Sequence, residues 1–261
     1  MRLSNERNYR YCTLFTGTHC HSLSQYSQKA ISKKYQQGCE IMKTPVVDYR
    51  EFRFSKLNSP QFSHLKLLLG WVGYFIMYFL TENLIPVENC HVIHCSLDDI
   101  IPFCEWFLLP YVFWYALIVI SLLYFALYDI DSFKKLQTFI IITQICAMIV
   151  YIVYPNCQNL RPNEFPRDNF LTDCIGFLYS FDTNTGVCPS LHCAYSIGIA
   201  SVWLKAKDVS KLWKAAIVII AILICISTMF VKQHSALDFF AALPVCLLAE
   251  ILVFKVFYKK A

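Results

Sequence analysis

The sequence predicts an all-α polytopic membrane protein, a bundle of six transmembrane helices, on three observations. Of its 261 residues, 57% are hydrophobic and only 16% charged, a composition outside the soluble globular range. Apolar runs of about the ~20 residues needed to cross a bilayer recur between charged loops. Lys and Arg gather in alternate loops, the pattern left when basic loops stay on the cytoplasmic side. The same composition excludes other classes. Only 7 Gly are present, too few for a Gly-rich phosphate-loop protein or a collagen-like chain. The net charge of +5 is spread over loops with no basic helix, so nucleic acid is not an expected partner.

Residues 1–63 supply no span and no signal-peptide apolar core, and they read as a polar, poorly ordered cytoplasmic segment. A shift in composition near Met42 makes that residue a candidate start, which would leave residues 1–41 a start-site artefact. Residues 64–261 form the membrane domain, with apolar runs at 65–85, 106–127, 136–153, 190–204, 215–230 and 235–257. The first run is expected to act as the insertion signal. Trp71, Tyr74, Tyr78, Trp106 and Trp114 suit interfacial belts and bundle packing.

One set of loops holds Arg50, Arg53, Lys56 and Lys66, then Lys134 and Lys135, then Lys205, Lys207, Lys211 and Lys214, and finally Lys255, Lys259 and Lys260. That set reads as cytoplasmic, with both termini inside, in a plasma or cytoplasmic membrane. The opposite loops carry only Arg161, Arg167 and Lys232. Cations that go against the retention rule are candidates for an anion site. Of the 13 cysteines, Cys146, Cys193, Cys225 and Cys246 lie in apolar runs and read as packing residues, whereas Cys157, Cys174 and Cys188 share one polar loop where a bridge is open.

Two constellations carry chemistry. The loop 154–189 is far longer than the usual ~4 to 6 residues and leads from Arg161-Pro162 into Pro189-Ser190-Leu191-His192. Pro189-Ser190 reads as a helix start whose backbone N–H groups form an anion cradle, with His192 in the first turn. The run that follows is short, about 22 Å at ~1.5 Å per residue, so its start is expected to be recessed below the membrane surface. The second constellation is Lys232-Gln233-His234 to Asp238. His234 and Asp238 are at i and i+4 on one helical face, where a carboxylate orients one imidazole nitrogen and leaves the other to react. Plainer readings stand beside these: a buried His satisfied by its helical neighbour, a helix-cap role for Ser190 and His192, and a loop ion pair of Arg161 with Glu164 or Asp168. The run Cys90 to Cys95, with His91 and His94, lacks a second ligand pair at zinc-site spacing and reads as an ordinary loop.

At these residues the sequence resembles the type 2 phosphatidic acid phosphatase superfamily, over the chain from about Leu65 onward. Arg161-Pro162, Pro189-Ser190-Leu191-His192, Ser227, His234 and Asp238 match its motifs in order and spacing. Tyr154 stands at the motif Lys, Leu191 at the Gly of the second motif and Thr228 at the Arg after Ser227. The Ser-Leu-His variant is similar to the inositol-phosphoceramide-synthase-like branch. The resemblance implies a six-span catalytic domain over residues 64–261 acting on a lipid phosphate among membrane lipids, at the outer face and without metal or cofactor. It implies that His234 attacks phosphorus to form a phosphohistidine, Asp238 holds its tautomer, His192 protonates the leaving alkoxide, and Arg161 and Ser190 hold the phosphoryl oxygens. Lys232 is expected to supply a replacement cation there. Hydrolysis is the expected reaction; headgroup transfer by a phosphotransferase, or an inactive homologue or transporter, are the alternatives. The identity of the lipid and the oligomeric state are left open.

Overall fold

The computed structural model describes residues 44–259; the candidate start near Met42, and residues 1–43 of the poorly ordered segment expected over 1–63, lie outside them. The described chain is mostly helical: α1 (Leu69–Leu84), α2 (Ser96–Ile100), α3 (Leu108–Tyr128), α4 (Ile130–Val153), α5 (Phe170–Phe181), α6 (Leu191–Lys205), α7 (Lys211–Phe230) and α8 (Ala236–Ile251). A 3-10 turn, Ser63–Leu68, leads into α1, and a π-helical turn, Leu252–Phe257, prolongs α8.

Five helical stretches are long and apolar enough to cross a membrane: Ser63–Leu84, Glu105–Tyr128, Ile130–Val153, Lys211–Phe230 and Ala236–Phe257. The run expected at 190–204 is α6, a helix of 15 residues. At ~1.5 Å per residue it covers about 22 Å, less than the ~30 Å hydrocarbon thickness. Local chemistry limits it at the start, where Pro189 precedes the Ser190 N-cap and the Ser190 hydroxyl accepts from Cys193 N.

The helix starts are set in the same way elsewhere. Asp129 caps α4, Asn169 caps α5, Ser210 caps α7 and Ser235 caps α8, each side chain accepting from an amide of the first turn. The short α6 is the hub: it packs on α4, α7 and α8 and buries Cys193, Ala194, Tyr195, Ile199 and Val202 among them. Gly198 permits the closest approach, since a Cβ there would lie 2.4 Å from the Phe139 ring of α4.

By contrast, α1 has no buried residue and packs chiefly on α4. Gly70 meets Ile141 there, and Trp71 Nε1 donates to Gln137 Oε1 over 3.2 Å. Residues 45–62, counted above in the polar N-terminal segment, form short 3-10 turns against the bundle. Phe62 is buried, Val46 N donates to Leu127 O, and the Tyr49 hydroxyl donates to Ala126 O while meeting His64 Nε2 at 2.8 Å.

At the opposite end of α3 and α4 the connections are tied together. Strands β1 (His91–Val92) and β2 (Asn156–Cys157) pair in parallel, His91 opposite Asn156. The long connection 154–189 is not structureless, because it contains α5. Arg167 grips the Glu105 carboxylate with two bonds of 2.7 and 2.6 Å, so this cation is held by an acid near the start of α3. The described cysteines, Cys157, Cys174 and Cys188 included, are free thiols.

Candidate active site

Two helix starts meet at the site. Ser190 N donates to Asp238 O over 3.1 Å, which joins the start of α6 to the first turn of α8. Between α7 and α8 the chain reverses through Lys232, whose φ of 55° is the left-handed conformation, and the amides of Gln233 and His234 both donate to Thr228 O. This turn directs His234 inward, where it is 7% exposed.

His234 and Asp238 do lie together, but not on one helical face as expected: α8 begins after the Ser235 N-cap, so His234 precedes the helix and Asp238 reaches back to it from the first turn. His234 Nδ1 is 3.0 Å from Asp238 Oδ2, and the same oxygen accepts from Ser235 N in a capping box. Asp238 is an acceptor, so the proton sits on His234 Nδ1 and the lone pair on Nε2. That Nε2 faces His192 Nδ1 at 3.4 Å. His192 is held between rings, stacked on Tyr111 at 4.6 Å and tilted against Trp114 at 4.1 Å, while its buried Nε2 has no partner among the described residues. Burial opposes charge on His234, but the Asp238 carboxylate beside it outweighs this and raises the imidazole above its ordinary value.

Both histidines line a cavity of about 590 Å³ between α1 and α3. Trp71, Tyr74 and Tyr78 of α1 face Tyr111, Trp114 and Tyr115 of α3 across it, and Asp182 and Gln233 contribute polar groups near the histidines. Its lining contains neither Lys nor Arg. Ser190 is fully buried behind the helix start and does not line the cavity; the amides of Leu191 and His192 stand at the open end of the helix.

The expected cations are placed differently. Arg161 bonds neither Glu164 nor Asp168; its guanidinium donates to Gln233 Oε1 at 3.1 and 2.6 Å and to the carbonyls of Tyr179, Asp182 and Thr183. It stands one residue behind the cavity, with Gln233 between, and borders a second cavity of about 260 Å³. Lys232 turns away from the cavity, contrary to its expected place beside a phosphate. Its Nζ donates to the carbonyls of Asp98 and Ile101, where the last turn of α2 leaves acceptors without intrahelical partners. No cation replaces the motif Lys and Arg at their own positions: Tyr154 stacks on His91 at 4.2 Å, and the buried Thr228 hydroxyl donates to Cys225 O.

Several residues at the site escaped the sequence reading. Asp98 accepts from the Ser235 hydroxyl, from Ala236 N at 2.8 Å and from Cys95 N at 2.8 Å, and so joins α2 to the start of α8. Burial would raise its carboxyl, but these hydrogen bonds together lower it. Asn156 clamps the approach to α6, accepting from the amides of Val187 and Cys188 and donating to Cys188 O. Gln233 was visible beside His234 in the sequence, but nothing local distinguishes Asp98 from Asp99 or singles out Asp182. In the Cys90 to Cys95 run, His91 stacks on Tyr154 and His94 pairs with Asp99, so the two histidines serve separate partners.

Compared with known proteins, the chain matches no family model, no curated protein and no solved structure.

Proposed function

We propose that this membrane protein is a lipid-phosphate phosphatase of the type 2 phosphatidic acid phosphatase kind, working through a phosphohistidine. The observation that carries the reading is the chain Asp238, His234, His192: a buried carboxylate holds one nitrogen of His234, and the other faces a second imidazole at the edge of an aromatic cavity. In this reading His234 Nε2 attacks phosphorus, an N–P bond forms and the P–O bond to the lipid alcohol breaks. The His192 Nδ1 proton passes to the departing oxygen. A water then attacks phosphorus, returns a proton to His192 and frees His234. The amides opening α6 bear on the phosphoryl oxygens. Arg161 acts one residue back, by fixing Gln233.

In the same proposal α6 is the sixth and shortest crossing, the basic loops and both termini are cytoplasmic, and the histidines work from the outer face. Headgroup transfer is the second reading. It is favoured by the low exposure of His234 at the edge of an aromatic cavity, where a lipid hydroxyl competes with water for the phosphohistidine.

The test is a panel of lipid phosphates given to the purified full chain, with released phosphate, new phospholipid and acid-labile phosphoenzyme measured separately. His234→Ala is expected to lose both turnover and phosphoenzyme. His192→Ala is expected to lose about 10² to 10⁴-fold on a lipid alkoxide, and much less on an aryl phosphate whose leaving group needs no proton. Full turnover in His234→Ala would overturn the assignment.

A further inference from the structure

The connection between α4 and α6 carries a helix with three unlike sides. On the inner side of α5, Ile175 and Leu178 are buried and share a small core with Leu108 and Tyr111 of α3 and with Val231. A second side is apolar but bare: Phe170, Phe177 and Phe181 are 77%, 72% and 62% exposed. With Cys174 between them they follow one another at steps of four, three and four residues, which sets them in one stripe along a helix of ~3.6 residues per turn. The third side, Asp173, Gly176 and Ser180, is small or polar, and Asp173 and Ser180 are exposed.

This helix rests on the ends of two crossings. It packs on the 3-10 turn Glu105–Phe107 and on Leu108 and Tyr111, all inside the stretch Glu105–Tyr128 that is long and apolar enough to cross a membrane. Tyr111 lies six residues into that stretch, about 9 Å along the helix, so α5 is level with the last turns of the crossing and not clear of it. On its other flank the Tyr179 hydroxyl donates to Val231 O at 2.6 Å, just past the end of α7. Its start is pinned through Glu105, which binds Arg167 and accepts from Asn169 Nδ2 at 3.2 Å. Trp106, in the same turn as Glu105, is 65% exposed and is of the residue type that gathers at the boundary of lipid and water.

We propose that α5 is an interfacial helix whose phenylalanine stripe docks on the lipid surface at this end of the bundle. The occupant is a leaflet and not a soluble protein because the stripe continues the surface that the crossing helices turn to lipid, exposed Trp106 and Leu109 of the adjoining stretch among it. The helix also has the right form. Its 12 residues cover about 18 Å, too short to cross, and beside the stripe its polar edge is free to stay in water. Helices of this kind bury an apolar face about 5 to 10 Å into the boundary of headgroups and acyl chains. Phe181 ends the stripe and also lines both cavities, so the docked face leads from the leaflet to the mouth of the site. Docking requires only that the bundle spans a membrane; it holds whether or not His234 transfers phosphoryl groups, and whichever loops are cytoplasmic.

The test uses the full chain, cleared of other reactive thiols, in phosphatidylcholine nanodiscs whose two faces both meet the buffer. An environment-sensitive fluorophore is placed on the stripe as Phe177→Cys and, in a separate sample, on the polar edge as Asp173→Cys. Each sample is titrated with aqueous iodide, and each is also prepared with lipid brominated either near the ester or near the methyl end of the acyl chain. The label on the stripe is expected to emit to the blue of the label on the edge, to resist iodide, and to lose most intensity to the bromines near the ester, as the expected depth requires.

Iodide quenching as strong on the stripe as on the edge would overturn the proposal, because the phenylalanines would then face water. Resistance to iodide and to both brominated lipids would overturn it as well, since protein and not lipid would cover the stripe. Stronger quenching by the bromines near the methyl end would place α5 deep in the bilayer and remove the interfacial seat. Phe170→Cys repeats the measurement at the far end of the stripe, so a disturbance local to Phe177 does not protect the proposal.

Discussion

His234 has Nδ1 committed to Asp238 and Nε2 turned toward His192 at the edge of the cavity, and this division makes its titration readable. As the proposed nucleophile it must be unprotonated, while Asp238 stabilises the protonated ring and raises its pKa. Activity is therefore expected to rise with pH through a value above the ordinary histidine pKa of about 6.5. Asp238→Asn is expected to move that acid limb to lower pH and to reduce the maximal rate, as the tautomer is no longer held; a limb that stays in place would separate Asp238 from the titration. Lys232 teaches a different lesson. Its charge and its place beside His234 suggested a phosphate ligand, whereas the left-handed turn at its own α-carbon sends the ammonium to the carbonyls of α2. Lys232→Met is expected to cost about 1 to 3 kcal/mol of stability, as charged hydrogen bonds do, with the loss seen in thermal melting and not as a selective rise in KM. Arg161 and Ser190 were legible as a loop cation and a helix start because each of those readings depends on adjacent residues. Their actual partners were not, since Gln233 lies 72 residues from Arg161 in the chain.

Among the elements, the caps and apolar runs could be read from sequence because each depends on neighbours within a turn or two. The junctions could not. Asp98 reaches Ser235 across 137 residues, and only the folded chain selects it over Asp99. Its lowered pKa means that its contribution to stability is fully present above the unfolded value of about 3.9 and is lost as pH falls through the folded one. Asp98→Asn is expected to flatten the acid side of a plot of Tm against pH and to loosen α2 from the start of α8; an unchanged acid limb would mean that other carboxylates govern it. The contact of α6 with α4 is equally specific. Gly198→Ala would drive a methyl into Phe139 and is expected to cost about 1 to 3 kcal/mol, with Phe139→Leu in the same chain restoring part of the loss. Additive losses in the double variant would place the strain elsewhere.

For the whole molecule, composition and periodicity made the membrane architecture legible, and five of the six apolar runs are helices long enough to cross. The remaining run, α6, was recognisable as short because its cap lies beside Pro189, but its role as the packing hub follows from tertiary contacts that periodicity does not encode. Under the proposed orientation, a membrane-impermeant maleimide applied to intact cells is expected to label Asp168→Cys and to spare Lys207→Cys, in a chain cleared of other reactive thiols. The reverse pattern would invert the topology. The loose seat of α1 bears on how such a molecule is assembled. Of the described helices α1 is synthesised first, yet its seat on Gln137 and Ile141 exists only after α4 has been made. Until then its aromatic face has only lipid to lean on. The helix that begins the bundle thus waits for α4 before it has a seat, and the cavity beside it is complete only when α6 and the turn carrying Gln233 and His234 have followed.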